Sequence, residues 1–394
     1  MRALLAGILV GSPYLAGLIR RDPARLVRLL DATPETRLAA LISGLDDEVA
    51  AAPSLADAMR ILRGFKTEVA LLLALVDLGG IWPVMQVTAA LTATADAAVA
   101  ASIRFLFLQA ARRGDWLAAD THHPERGSGF IVLAMGKHGA GELNYSSDID
   151  LIIFYELGLA RLKPGLEPSP FFVRMTRDLV KLMQERTADG YVFRTDLRLR
   201  PDPGATQVAI ATDAALNYYE SFGQNWERAA LIKARPIAGD LAAGGAFLAE
   251  LGPFVWRKYL DFAAIADIHA MKRQIHAFKG FGEIGVAGHN IKLGRGGIRE
   301  IEFFVQTQQL IAGGRQTDLR ISTTLGALDR LADRGWIRPE VAADLAEAYT
   351  FLRRIEHPLQ MLADEQTQTL PAAPADLERL PHFSGYPSTP AFAA

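Results

Sequence analysis

Two short, continuous apolar runs, Phe130 to Met135 and Ile149 to Tyr155, are joined by a glycine-containing loop that ends on Asp148-Ile149-Asp150. Runs of this length, bounded by turn-forming residues, read as core strands. Alternate side chains of a strand share a face, so Asp148 and Asp150 are expected to point one way while Ile149 and Leu151 point the other. Two carboxylates so close repel unless something positive lies between them. Hard oxygen donors of this kind suit Mg²⁺, which binds one or two carboxylates together with substrate phosphates. The loop glycines, Gly136 among them, would let backbone N–H groups approach a phosphate, and Lys137 would add a point charge. Spacing alone also allows a glycine-rich turn with a solvated acidic pair.

A third carboxylate favours the metal reading. Over Tyr191 to Arg200 the sequence alternates as a strand, placing Arg194, Asp196, Arg198 and Arg200 on one face and Phe193, Thr195, Leu197 and Leu199 on the other. Such a face is either a surface ion-pair ladder, worth little to stability, or a basic wall that meets phosphate beside a metal-binding aspartate. With Asp148 and Asp150 nearby, the second is favoured.

The rest of the chain is helical in pattern. From Asp22 to about Trp116, apolar residues recur three and four apart, Pro23 and Pro34 sit where a first helical turn tolerates them, and Leu55 to Leu78 reads as one helix stopped by Gly79-Gly80. A helix is expected over Ser169 to Ala188, capped by Ser169. After Asp213, helices are expected over Ala214–Phe222, Trp226–Ala234, Leu241–Leu251, Phe262–Phe278, Ile298–Ile311, Thr323–Arg334 and Pro339–Leu362. The division is therefore a helical region over 1–116, an α/β core over 117–212, a second helical region over 213–370 and a poorly ordered tail over 371–394. The fold class is α+β, predominantly α, with a small mixed sheet flanked by two helical regions.

Composition narrows the function. A net charge of −2 provides no global field for nucleic acid or an anionic membrane. The absence of cysteine excludes thiolate metal sites and cysteine nucleophiles, and fits a reducing cytoplasm. Met1-Arg2 followed by Ala3 to Val10 has a faint secretory look, but Gly11-Ser12-Pro13 interrupts it, so a buried first helix is expected. No other stretch reads as a bilayer span, and no membrane partner is expected. His122-His123 lacks metal-ligand spacing and reads as a solvent-exposed pair.

The glycine loop, the Asp-x-Asp strand and the later aspartate resemble the DNA polymerase β-like nucleotidyltransferase superfamily. Within it, Gly136-Lys137 and Glu142-Leu143-Asn144-Tyr145-Ser146-Ser147-Asp148-Ile149-Asp150-Leu151 resemble the glutamine synthetase adenylyltransferase/adenylyl-removing enzymes. So do Asp196-Leu197-Arg198-Leu199-Arg200-Pro201, Trp226-Glu227-Arg228 with Lys233-Ala234-Arg235-Pro236, and Gly296-Gly297-Ile298-Arg299-Glu300-Ile301-Glu302-Phe303. Ser12-Pro13-Tyr14-Leu15 and Arg353-Arg354-Ile355-Glu356-His357 extend the likeness more weakly. The chain departs from the pattern at His138 and at Pro358, which is expected to kink or end its helix, and it stops where a second catalytic half would begin.

The resemblance implies a nucleotidyltransferase fold, and Leu143 to Ser147 with Ile298 to Glu302 resemble the N-terminal, deadenylylating copy of the two in that family. It implies phosphorolysis: phosphate attacks the AMP phosphorus on an adenylylated tyrosine of glutamine synthetase, releasing ADP. Asp148, Asp150 and Asp196 are then the catalytic residues, holding Mg²⁺, two ions in all. Gly136, Lys137, Ser147, Arg198 and Arg200 are candidates for phosphate or nucleotide binding, with Arg228, Lys233, Arg235, Lys292, Glu300 and Glu302 behind them. Expected partners are adenylylated glutamine synthetase, the PII signalling protein, phosphate, AMP and ADP, with no nucleic acid. The competing readings are the reverse, ATP-dependent adenylyl transfer, and a PII-responsive binding module.

Overall fold

The computed structural model describes residues 2–258 and 286–373, with Leu377 and Phe383. The helix expected over Phe262–Phe278 lies outside the described residues, as does most of the expected tail.

The first six helices are α1 (Arg2–Gly11), α2 (Pro13–Arg21), α3 (Pro23–Leu30), α4 (Pro34–Ala50), α5 (Leu55–Leu78) and α6 (Val84–Arg112). Three of them start on a side-chain cap followed by proline: Ser12, Asp22 and Thr33 each accept a backbone N–H, and the proline takes the first position, where a missing N–H costs nothing. Two expectations are corrected. The first helix forms but is largely exposed: of its side chains only Ile8 is buried, and Val10 is 85% exposed. The helix α6 is long and apolar enough to cross a bilayer, yet 72% of its apolar window is buried. Its Thr88, Thr92, Thr94 and Ser102 hydroxyls bond inside the fold, so packing accounts for its composition.

The sheet contains β1 (Phe130–Ala134), β2 (Ile149–Tyr155), β3 (Thr195–Asp196), β4 (Ile210–Ala211) and β5 (Arg235–Gly239), in the order β3-β2-β1-β5 with β4 also on β2. It is mixed: β1 runs antiparallel to β2 and β5, whereas β3 and β4 run parallel to β2. Both faces are covered, which explains why the first two strands read as continuous apolar runs. Phe130, Val132 and Ala134, with Ile149, Leu151 and Ile153, join the core of the N-terminal helices. Ile131, Leu133, Ile152 and Phe154 pack on the other side against Tyr219 and Phe247.

Two strands escape sequence reading. In β5, Pro236 argues against a central strand, and β5 is indeed at the edge of the sheet. In β4 there are only two residues. The expected strand over Tyr191–Arg200 shrinks to Thr195–Asp196, because Arg198 and the residues after it turn away into a loop. The helix expected from Ser169 starts at Pro168, without a side-chain cap, and ends at Gln184. The helix expected over Trp226–Ala234 is Asn225–Leu231. His123 is half-buried against Glu125 rather than exposed.

Beyond the sheet, helices Ile298–Ala312, Thr324–Asp333 and Pro339–Met361 share a separate core. The last runs through Pro358 to Met361 instead of ending there. Ser12 donates its hydroxyl to the carbonyl of Met361, joining the start of the described chain to its last long helix.

Candidate active site

Parallel pairing of β2 with β3 sets Asp150 directly beside Asp196. Asp148 precedes β2 and faces the same cleft, which has a volume of about 630 Å³. The three carboxylates are in different states. Asp148 is held by the Arg194 Nε at 2.6 Å. Asp196 accepts from the Arg198 Nε at 2.9 Å, and that side chain holds its carboxyl below the usual range. The Asp150 carboxylate has no hydrogen bond or ion pair within the described residues. Burial, reinforced by Asp196, pushes its carboxyl up to about 6.

Gly136 allows this arrangement. Its φ is +55°, and a Cβ there would stand 2.8 Å from Asp150 Oδ2. Gly139 is confined as well, since a Cβ would run into the carbonyl oxygens of Lys233 and Ala134. The open phosphate cradle expected of the loop is not fully formed: Gly139, Ala140, Gly141 and Glu142 donate their N–H groups back to loop carbonyls. Ser147 lines the cleft but turns its hydroxyl to the carbonyl of Asp148.

The cations sort into those already bound and those facing the cleft. Lys137 reaches the cleft, but its ammonium pairs with Glu356 at 3.1 Å. Arg200 is not among the cleft residues and donates to the carbonyls of Leu197, Pro203 and Thr206, bracing the loop that replaces the expected strand. Arg228 is fully buried and donates to the carbonyls of Phe254 and Val255, while Trp226 is 40% exposed in the cleft. Arg228, a candidate for phosphate or nucleotide binding, is thus not among the cleft residues. Lys233 is buried between Glu302 at 3.1 Å and Glu142 at 3.7 Å. Arg235 binds Asp96 at 2.8 Å and the carbonyls of His138 and Gly139, fixing the glycine loop from behind.

The loop before Ile298 closes on itself. The N–H groups of Ile298, Arg299 and Glu300 are taken by the carbonyls of Ile291, Lys292 and Gly297, so they are not offered to an anion. Glu300 accepts from the Gly296 N–H. What faces the cleft is side chain: Lys292, whose ammonium has no partner within the described residues, and half-exposed Arg299, 4.0 Å from Glu302. Arg299, Phe303 and Gln306 were not among the sequence candidates. Their signal was helical spacing, since Arg299, Glu302, Phe303 and Gln306 recur at i, i+3, i+4 and i+7 on one face.

Behind the cleft lies a buried polar network. Glu356 meets Lys137, Arg353 and the Asn144 amide, and Glu142 accepts from Thr324 and Tyr349. Burial alone would raise the carboxyls of Glu302 and Glu356. Lys233 and Lys137 for the first, and Lys137 and Arg353 for the second, override it and hold both below the usual range. Because both are depressed in the fold, their contribution is complete above the ordinary glutamate value of about 4.3 and is lost as pH falls through the folded values. The thermal midpoint should therefore drop on acidification below about pH 4. A midpoint flat from neutrality to pH 3, measured by circular dichroism, would contradict the network.

Among the described residues no three carboxylate or imidazole groups converge as a finished metal cage. Arg194 and Arg198 draw Asp148 and Asp196 aside. The donor set nevertheless fits a hard divalent cation. Asp150 is a half-buried, unpaired carboxylate facing open space, two more carboxylates line the same cleft, and a cation would relieve their repulsion.

The glutamate-ammonia ligase adenylyltransferase family matches residues 3–250, and the GlnD PII-uridylyltransferase family matches residues 269–394. Relatives named bifunctional glutamine synthetase adenylyltransferase/adenylyl-removing enzyme occur in Bradyrhizobium diazoefficiens, 59% identical over 392 residues, and Rhodopseudomonas palustris, 58% identical over 393. Another, in Xanthobacter autotrophicus, is 57% identical over 393 residues. Each alignment covers 100% of this chain, and 39% of the first relative and 40% of the other two. The chain thus spans about two fifths of the length of the curated relatives it matches.

Proposed function

From the premise that the chain belongs to the glutamate-ammonia ligase adenylyltransferase family, we propose that it removes AMP from adenylylated glutamine synthetase by phosphorolysis. The observation that carries the reading is Asp150, unpaired between Asp148 and Asp196, in a cleft that also holds Lys292, whose ammonium has no partner within the described residues, and half-exposed Arg299.

Asp148, Asp150 and Asp196 would hold Mg²⁺, which when bound supplies charge neutralisation at the transferring phosphoryl group. Arg194 and Arg198 must then release their carboxylates; Arg198, with its side chain 83% exposed, can swing toward a phosphate instead. Lys292 and Arg299 are positioned to take the negative charge of the incoming phosphate. Trp226, Leu199 and Phe303 supply an apolar wall on which adenine can stack. A phosphate oxygen attacks the AMP phosphorus, the bond from phosphorus to the tyrosine oxygen breaks, and tyrosine leaves with its electron pair and takes up a proton. Phosphate is already a nucleophile, so the reaction asks the protein for positioning and charge rather than for a general base. Leu143 to Ser147 and Ile298 to Glu302, with their likeness to the deadenylylating copy, support this direction over adenylyl transfer.

Incubation with adenylylated glutamine synthetase, Mg²⁺ and phosphate, with the uridylylated PII protein added, is expected to release ADP. ATP with unmodified glutamine synthetase is expected to give no incorporation of AMP. Incorporation of AMP without release of ADP would reverse the assignment. Inactivity of the folded chain in both directions would leave a PII-responsive binding module as the better reading.

A further inference from the structure

A second cavity, of about 560 Å³, lies apart from the cleft, between α2, α5 and the turn after the helix Pro168–Gln184. Its wall carries six cationic side chains against three carboxylates. Several of the charges are already engaged: Arg25 binds Glu68, Arg60 binds Asp57, and Arg63 donates to the carbonyls of Met59, Leu182 and Gly190. Of the carboxylates, Asp22 is bound by Arg28, Asp364 accepts the Tyr191 hydroxyl, and Asp189 stands exposed at the rim.

Three cations are left. Lys66 is only 8% exposed, and its ammonium lies 4.2 Å from the centre of the Phe193 ring with no hydrogen bond or ion pair within the described residues. Burial depresses it to about 8, as expected of an ammonium taken from water without a full set of acceptors. Arg21 and Arg186 stand at the rim, also without a carboxylate partner within the described residues, and Arg186 lies over the Tyr191 ring at 5.1 Å. A buried ammonium and two open guanidinium forks around one cavity make a site for a compact ligand with more than one negative charge, and Arg forks match the tetrahedral oxygens of a phosphate.

We propose that this cavity binds a small anion of the phosphate-monoester class, at a site distinct from the catalytic cleft. The two are linked by a short chain of contacts: Tyr191 on the cavity wall accepts a hydrogen bond from Arg194 Nη1 at 2.6 Å, and Arg194 holds Asp148 through its Nε. Occupation next to Tyr191 thus acts on the guanidinium that must let Asp148 go. The binding claim does not depend on the proposed reaction.

Equilibrium dialysis of radiolabelled inorganic phosphate and of AMP, without divalent metal and at fixed ionic strength, tests it. One anion per chain is expected to bind the wild type and Lys292→Gln alike, because Lys292 lines the catalytic cleft and not this cavity. Arg21→Gln, at the exposed rim and without cost to the fold, should weaken binding about tenfold or more, and Lys66→Met should abolish it in a chain whose far-UV spectrum is unchanged. Tighter binding of AMP assigns the site to a nucleotide monoester, and tighter binding of phosphate to the free ion. No binding to the wild type, or binding lost in Lys292→Gln and indifferent to Arg21→Gln, would overturn the proposal.

Discussion

Asp150→Asn is expected to lower phosphate-dependent release of ADP on the order of a thousandfold while leaving thermal stability unchanged or higher. Both effects come from the same property. The Asp150 carboxylate is half-buried, has no partner within the described residues and is pushed up to about 6, so its charged form is disfavoured by the fold at neutral pH. Asparagine removes that unfavourable charge with almost no change in volume, so nothing in the packing resists the exchange. Catalysis loses the one carboxylate not already engaged by arginine. A residue kept only for structure would behave in the opposite way, with activity surviving and stability falling. Full activity in the folded variant would sink the metal-site assignment. An unfolded variant would show that Asp150 has a partner role in the fold that its geometry does not suggest. Measuring ADP release and the thermal midpoint on the same preparation separates these outcomes.

Glu356→Gln is expected to destabilise the chain by about 3 kcal/mol or more. Glu356 is fully buried at the meeting point of Lys137, Arg353 and Asn144. Removing its charge leaves two buried cations facing one another, and a lost partner in such a network costs far more than the intact pair contributes. Burial has already depressed Lys137 to about 8, so in the variant it should shed its proton readily, and the penalty should shrink as pH rises past neutrality. Adding Lys137→Met to Glu356→Gln should recover part of the loss, because one of the two stranded charges is then gone. Urea unfolding of the two single variants and the double variant measures the coupling. A loss below about 1 kcal/mol in Glu356→Gln, the range of an exposed pair, would show that the network is solvated.

Much of the architecture was legible. The helix Leu55–Leu78 and the strands at Phe130 and Ile149 follow from local periodicity and from glycine or capping residues a few positions away. The convergence of Asp150 and Asp196 was also within reach, because both alternate on strands. Local pattern failed where a neighbour distant in sequence decides the outcome. Pro236 disguised β5, which forms because β1 offers it an edge. The alternation from Tyr191 to Arg200 looked like one long strand, but only Thr195–Asp196 finds a partner, in β2.

The same limit governs the candidate site. Residue type and spacing were enough to determine the family resemblance, the mixed fold and the three carboxylates, since each is written in a short stretch of chain. Which cations remain available was decided by tertiary structure. Lys137 is neutralised by Glu356, 219 positions away, and Lys233 by Glu302, 69 away, Arg200 is tied to loop carbonyls, and Lys292 and Arg299 are left facing the cleft. Charge pairing acts across space at a range of a few ångströms, and the folded path of the chain alone sets which charges come that close.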